Sequence, residues 1–199
     1  MISNEAINSA LNAYDIEADC IKEMKEYFDK EAFSKAVELL IKAERIAASG
    51  CGHSGIACKH FAHLMCCAER PAKFISPAEA VHGGTGYLKK DDVMLFASRG
   101  GKTAELMPIL EICKKKGVRV ITVTENTDSP LAKGADVVLK QHVNRETDKH
   151  NMQGTTSTTA LIMIFHALQT AIIEETGFAE EQFALIHPGG AVGARLNNK

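Results

Sequence analysis

The sequence predicts an α/β fold, a doubly wound three-layer α/β/α sandwich built on a mainly five-stranded parallel sheet. Five runs of four to six residues are apolar without polar alternation, and segments with helical spacing separate them. Strands of that kind are buried on both faces, as parallel strands joined by βαβ crossovers are. Glycine-rich turns also stand where the strands at 45–50 and 92–97 hand over to helices.

The elements follow in order. Ile7, Leu11, Tyr14, Ala18, Ile21, Met24 and Phe28 recur at helical spacing with charged residues between them, which predicts a long amphipathic helix over 6–27. A second helix is expected over 34–43 on Val37, Leu40 and Ile41, and residues 45–50 then form a strand that runs into a glycine turn. Residues 56–68 read as a helix, 72–75 as a short strand, and 92–97 as a buried strand after a charged turn. A helix over 103–116 is ended by Gly117, and 118–123 is the most apolar β-branched run in the chain. A short helix at 130–133 leads to a final strand at 136–139, and a long apolar helix with a polar first turn covers 155–175. Residues 1–199 are thus expected to be one domain with an N-terminal helical extension over about 1–44.

Composition narrows the partners. Lys and Arg number 23 against 25 Asp and Glu, a net charge of −2, so no electrostatic case exists for nucleic acid or a membrane surface. No basic n-region precedes an apolar segment near Met1, and no apolar run is read as approaching the roughly 20 residues of a membrane span. A cytoplasmic location is therefore expected. Six cysteines without a framework, two of them adjacent at Cys66 and Cys67, read as reduced thiols. Without a CxxC pair or HExxH motif to accompany Cys51, His53, Cys58 and His63, no metal is expected.

In parallel α/β sheets ligands bind beyond the carboxyl ends of the strands. Gly50-Cys51-Gly52-His53-Ser54-Gly55 opens there directly onto a helix, where glycines admit a ligand to the backbone and helix N–H groups favour an anion. It resembles a dinucleotide fingerprint only weakly, its third glycine being read as one residue early and no acidic residue following the next strand at the expected place. Ser98-Arg99-Gly100-Gly101-Lys102-Thr103-Ala104-Glu105 follows another strand and combines hydroxyls, glycines and two cations at a helix start, the groups a phosphate requires. Alone, it would serve equally as an N-cap with exposed charges. Thr155-Thr156-Ser157-Thr158-Thr159 is costly as helix filling, so its hydroxyls are expected at the same pocket, with Thr155 or Thr156 as the alternative helix cap. His187-Pro188-Gly189-Gly190 presents a titratable imidazole on a fixed turn, suited to proton transfer or simply to helix entry.

These segments, in this order, resemble the SIS (sugar isomerase) domain of arabinose-5-phosphate isomerases. The likeness rests on Gly50-x-Gly52-x-Ser54-Gly55, Glu79-Ala80-x-His82-Gly83, the 98–105 loop, Thr155-x-Ser157-Thr158-Thr159-Ala160 and His187-Pro188-Gly189-Gly190-Ala191-x-Gly193. Many members continue into paired CBS regulatory domains; this sequence stops at Lys199, so the resemblance is to the catalytic part alone.

The resemblance implies the SIS fold, an aldose–ketose isomerisation of a sugar phosphate through an enediolate, no cofactor, and a homodimer or homotetramer. It places Ser98, Thr103, Ser157 and Thr158 at sugar-phosphate positions, and Gly52, Ser54, Gly100, Gly101 and Thr155 of the turns read above complete the residues expected around the substrate and its phosphate. It places Glu105, Glu146, His82, His187 and His53 at acid, base and polarising positions, with Glu146 and His187 foremost for proton transfer. Two departures stand out: His53 occupies a position usually held by lysine, and Ser98-Arg99-Gly100-Gly101-Lys102-Thr103 replaces a Ser-x-Ser-Gly-Glu-Ser/Thr pattern. Histidine is only partly charged near neutrality, so it stabilises an enediolate less than lysine does. The alternatives are a non-catalytic phosphosugar sensor and a related phosphohexuloisomerase.

Overall fold

The three central apolar runs become strands because each can bury both faces, while the two edge runs leave Lys73 and Lys140 exposed. A computed structural model describes residues 1–197, and among them β1 (Ile46–Gly50), β2 (Ala72–Phe74), β3 (Val93–Ala97), β4 (Arg119–Thr124) and β5 (Val137–Lys140) form one parallel sheet in the order β2-β1-β3-β4-β5. The register aligns Ala48, Leu95, Ile121 and Val137 in one row and Ala47, Met94 and Val120 in the next. Alternate rows point to opposite faces, so the sheet feeds two cores.

One core holds Ala48, Leu95, Ile121 and Val137 against α2 (Lys30–Lys42), α3 (Gly52–Cys67) and α7 (Thr156–Thr176), through Leu40, Phe61, Phe165 and Leu168. The other holds Ala47, Met94 and Val120 against α4 (Pro77–Val81), α5 (Met107–Lys116) and α6 (Pro130–Lys133), through Ala80, Ile109, Leu110 and Leu131. The three-layer α/β/α arrangement expected from the sequence is the one found. Helix α1 (Asn4–Glu23) lies outside these layers, packs on α7, and buries only Cys20. Beyond α7 come α8 (Glu180–Ile186) and α9 (Gly190–Asn197), which the sequence reading did not resolve as helices.

Several boundaries shift for physical reasons. Helix α2 starts at Lys30 rather than 34 because the Asp29 carboxylate accepts from the N–H groups of Glu31 and Ala32 at 2.9 and 3.0 Å. Helix α3 begins at Gly52, so the glycine turn is itself the first helical turn. The helix expected over 103–116 divides into a 3₁₀ turn at Ala104–Leu106 and α5. Helix α7, 21 residues long with mean hydropathy 1.4, has the length and composition of a membrane span, contrary to the expectation that no run approaches it. Its Leu161, Phe165, Leu168 and Ile172 are buried in the first core.

Candidate active site

The order 2-1-3-4-5 reverses direction between β1 and β3, and a crevice opens at such a switch beyond the carboxyl ends of the strands. The loops after β1, β3 and β4 and the start of α7 meet there. Their glycines are set by close approach. A Cβ on Gly55 would lie 2.6 Å from the Gly50 carbonyl oxygen, so α3 can press against the end of β1 only with glycine at this place. Contrary to the reading that the third glycine comes early, the spacing of Gly50, Gly52 and Gly55 is in full that of the dinucleotide fingerprint, although the acidic partner after β2 is lacking.

The 98–103 loop folds around Ser98, whose buried hydroxyl sits 2.8 Å from the Thr103 hydroxyl and accepts from the Gly101 N–H at 3.1 Å. Gly101 has φ +63°, and a Cβ there would lie 2.0 Å from Ser129 Oγ. Among the described residues, the N–H groups of Gly100, Lys102 and Thr103 have no acceptor, and Lys102 is exposed. Three backbone donors and an ammonium around two hydroxyls suit an anion.

Arg99 does not join them, contrary to the reading of both cations as phosphate groups. Its Nε donates to Glu125 Oε2 at 2.6 Å and its Nη1 to Glu146 Oε1 at 2.7 Å. Glu125 stands opposite Arg99 because β3 and β4 pair Ala97 with Val123, and the register continues two residues further, where the Glu125 N–H donates to the Arg99 carbonyl at 3.0 Å.

Glu146 is buried. Its Oε2 accepts from the N–H groups of Thr155 at 2.9 Å and Ser157 at 3.1 Å and from the Thr155 hydroxyl at 3.2 Å. A carboxylate nine residues upstream thus caps α7, where Thr155 or Thr156 had been expected to do so; Thr155 makes no side-chain cap bond. The intervening loop is held by Asn151, whose side-chain oxygen accepts from the Glu146 N–H at 2.6 Å, and by the Asp148 carboxylate. Three backbone N–H groups hold the Asp148 carboxyl below the usual carboxylate range. The threonines do not act as one set: Thr158 donates to the Gly154 carbonyl at 2.5 Å, Thr159 to Glu17 of α1 at 3.0 Å, and the buried Thr156 hydroxyl has no partner among the described residues.

His53 is exposed on the first turn of α3, and its ring lies against Gly154, since a Cβ there would be 3.0 Å from His53 Cδ2. Burial chiefly, and then the Glu105 carboxylate, push the Cys51 thiol up, so Glu105 faces the α3 start. Gly52, His53, Ser54, Ser98, Gly100, Gly101, Thr103, Glu105, Glu146, Thr155, Ser157 and Thr158 therefore gather at one edge of the sheet. His82 follows α4 as its exposed C-cap, and α4 packs against the 3₁₀ turn that carries Glu105.

His187 is elsewhere. Helix α7 leaves the crevice and runs 21 residues, about 31 Å at 1.5 Å per residue, to the opposite edge. There Gln182 of α8 donates to Glu69, just past the far end of α3, at 3.1 Å. His187 ends the seven-residue α8, its ring centroid 5.0 Å from that of Phe183 and its buried Nδ1 without a partner among the described residues. Reading the sequence alone missed the Arg99–Glu125–Glu146 network, although an Arg and a Glu within two residues of the ends of adjacent parallel strands are a signal for half of it.

A family model described as SIS domain matches residues 39–171. The chain is 39% identical over 191 residues to the arabinose 5-phosphate isomerase KdsD of Pseudomonas aeruginosa, covering 96% of this chain and 58% of that protein. It is 34% identical to KdsD of Francisella tularensis, covering 96% and 59%. The chain thus spans less than two thirds of the length of these relatives. Among solved structures, a Listeria monocytogenes protein provisionally described as a sugar-phosphate isomerase superposes with a TM-score of 0.91 at 39% identity, covering 95% of this chain and all of that one. An Escherichia coli CFT073 protein in complex with arabinose 5-phosphate superposes at 0.86 with 27% identity, covering 94% and 100%.

Proposed function

Because the chain belongs to the SIS domain family, we propose that it is an aldose–ketose isomerase acting on a sugar phosphate of the arabinose 5-phosphate type. One observation carries the reading: the partnerless N–H groups and paired hydroxyls of the 98–103 loop face, across one crevice, the starts of α3 and α7. The phosphate would rest on Gly100, Gly101, Lys102 and Thr103, with Ser98 beneath it. The sugar would extend along Gly52, His53 and Ser54 towards Thr155, Ser157 and Thr158. Relatives named as arabinose 5-phosphate isomerases support this substrate class.

The chemistry needs a base to take the proton alpha to the carbonyl and return it to the neighbouring carbon of the enediolate. Glu146 and His187 are the proposed proton-transfer groups, with Glu105 and His82 orienting hydroxyls and His53 polarising. Two geometric facts refine that set. The Glu146 carboxylate already holds Arg99 and two α7 N–H groups, so as a base it would have to release part of that network. His187 lies at the far edge of its own sheet, so it would serve the crevice of a second copy, which makes the proposed homodimer or homotetramer part of the active unit. No cofactor enters the scheme.

A non-catalytic phosphosugar sensor is the second reading, favoured by the engaged Glu146 and by His53 at the position where the family pattern has lysine. The experiment is an NMR screen of aldose and ketose phosphates for interconversion in deuterated water. Turnover with solvent deuterium at the carbon that receives the proton supports isomerisation by proton transfer. Binding that Ser98→Ala with Thr103→Val abolishes, without interconversion or exchange, supports the sensor. Sugar-phosphate affinity unchanged in that double variant removes the loop from both readings.

A further inference from the structure

Arg99 stands where a phosphate ligand would be sought, yet its charge is committed. Nε and Nη1 engage Glu125 and Glu146 at 2.6 and 2.7 Å, and Nη2 points at the Val143 carbonyl at 3.5 Å. Its own carbonyl accepts from the Thr124 hydroxyl and the Glu125 N–H, both at 3.0 Å, so its backbone is fixed to the end of β4. Glu146, only 3% exposed at its side chain, passes the contact on to Thr155 and Ser157 at the α7 start. A planar guanidinium can hold two carboxylates at once; an ammonium on a flexible stem does so poorly.

We propose that Arg99 is a positioning residue that ties the phosphate loop to the N-terminus of α7 through Glu146, and that it is not a phosphate ligand. The inference rests on the isomerase reading for its consequence in turnover but not for its geometry. Both halves of the crevice are then one framework. The loop that grips the phosphate and the helix start that meets the sugar keep their spacing only while Arg99 bridges them, and misplacement of about 1 Å in such a site costs about 10²-fold in rate.

Three measurements test it on the full chain. Inorganic phosphate titrated into Arg99→Gln combined with Glu146→Gln, which keeps the net charge of the network at its wild-type value, should bind within about threefold of wild type, whereas loss of a charged phosphate contact would weaken it by about tenfold or more. Amide hydrogen exchange at Thr155 and Ser157 should accelerate by about tenfold or more in Arg99→Gln, and less in Arg99→Lys, which retains one ion pair. Addition of Glu146→Gln to Arg99→Gln should not multiply the effects, because both substitutions break one linkage.

In turnover, kcat should fall by about tenfold or more with KM nearly unchanged. Weakened phosphate binding with unchanged exchange at Thr155 and Ser157 overturns the proposal and makes Arg99 a ligand. Multiplying effects in the double variant overturn the linkage. If wild type turns over no sugar phosphate, the isomerase reading fails, while the phosphate and exchange measurements still decide the role of Arg99.

Discussion

Replacing Gly101 with alanine perturbs the phosphate loop at its tightest point. Gly101 has φ +63°, which costs a non-glycine residue about 1–2 kcal/mol, offset by about 0.4–1 kcal/mol because alanine restricts the unfolded chain. The new methyl would lie 2.4 Å from Ser129 Cβ and 2.0 Å from its Oγ, so Ser129 has to move. Ser129 is fully buried and caps α6 by accepting from the Ala132 N–H at 3.3 Å. Losing that cap and stranding the hydroxyl adds about 1–3 kcal/mol.

The net is about 1–5 kcal/mol, and at about 2–4 °C per kcal/mol for a chain of this size the centre of that range lowers Tm by about 8 °C. Thermal unfolding followed by circular dichroism measures it. The loss should be coupled to Ser129. Ser129→Gly alone costs only a few tenths of a kcal/mol as a cap change, yet it removes both clashing atoms, so in that background Gly101→Ala should cost about 1 kcal/mol, the backbone share alone. A Tm within about 1 °C of wild type, or strictly additive effects in the cycle, would refute the packing argument.

Two further outcomes follow from other parts of the molecule. The α1 residues Leu11 and Tyr14 are 60% and 77% exposed, and further along the same helix Ile21 borders an apolar cavity also lined by Met24, Phe28, Phe33 and Met163, so a homo-oligomer should use the exposed side of α1. Sedimentation at micromolar concentration should give an oligomer that Leu11→Glu with Tyr14→Ser dissociates; a wild-type monomer rejects it. On the outer face of α3 and α7, His60 Nε2 and His166 Nε2 are 3.1 Å apart. Partial burial, then His166 and His63, hold the His60 pKa below its usual value of 6.5. The unfolded chain therefore binds more protons than the folded one as pH falls below 6.5, and stability declines there until the folded imidazole itself protonates. His60→Gln should flatten that decline in urea midpoints as pH falls below 6.5, and an unchanged slope would exclude the pair as its source.

The three central strands were legible because burial on both faces leaves a nearly unbroken apolar signature, and the two shorter edge runs, which end or centre on an exposed lysine, also lie in the sheet. Their ends moved by a residue or so, since Asp92 and Asp136 stop outside the ladder and use their carboxylates on the N–H groups of Arg45 and Val120. The start of α2 was visible in Asp29, but the Lys30-Glu31 opening lacks the apolar period that marked the helix from 34. Short α4 and α8 carry too few turns for a period to emerge.

At the site, local chemistry was readable and long-range commitment was not. Hydroxyls, glycines and cations near strand ends announced a phosphate loop, but nothing local to Arg99 says that a carboxylate 47 residues away occupies it. The same holds for Glu146, whose appearance in the sequence as a free acid–base candidate conceals its role in capping α7. The position of His187 was open to arithmetic: a helix of 21 residues beginning at the crevice must end on the far side of a sheet five or six residues deep.

Charge at the crevice bears on how a phosphate could be held. Arg99 with Glu125 and Glu146 sums to one negative charge beside the loop, which opposes a dianion. The residue that offsets it is Lys102, at the position where the resembling pattern has glutamate, so this one exchange replaces a negative charge with a positive one. Since Arg99 is consumed by the two carboxylates, Lys102 and the N–H groups of Gly100 and Thr103 are left to meet the anion. An exposed lysine is screened by salt, whereas fixed N–H groups at a loop are screened much less. Removing Lys102 should therefore weaken phosphate binding at low ionic strength and matter little at high, while the wild-type affinity that survives in high salt measures what the backbone contributes. Calorimetric titration of Lys102→Gln with inorganic phosphate at both ionic strengths checks this, and a loss of affinity that is the same at high salt as at low would show that the ammonium is not the screened partner argued for here.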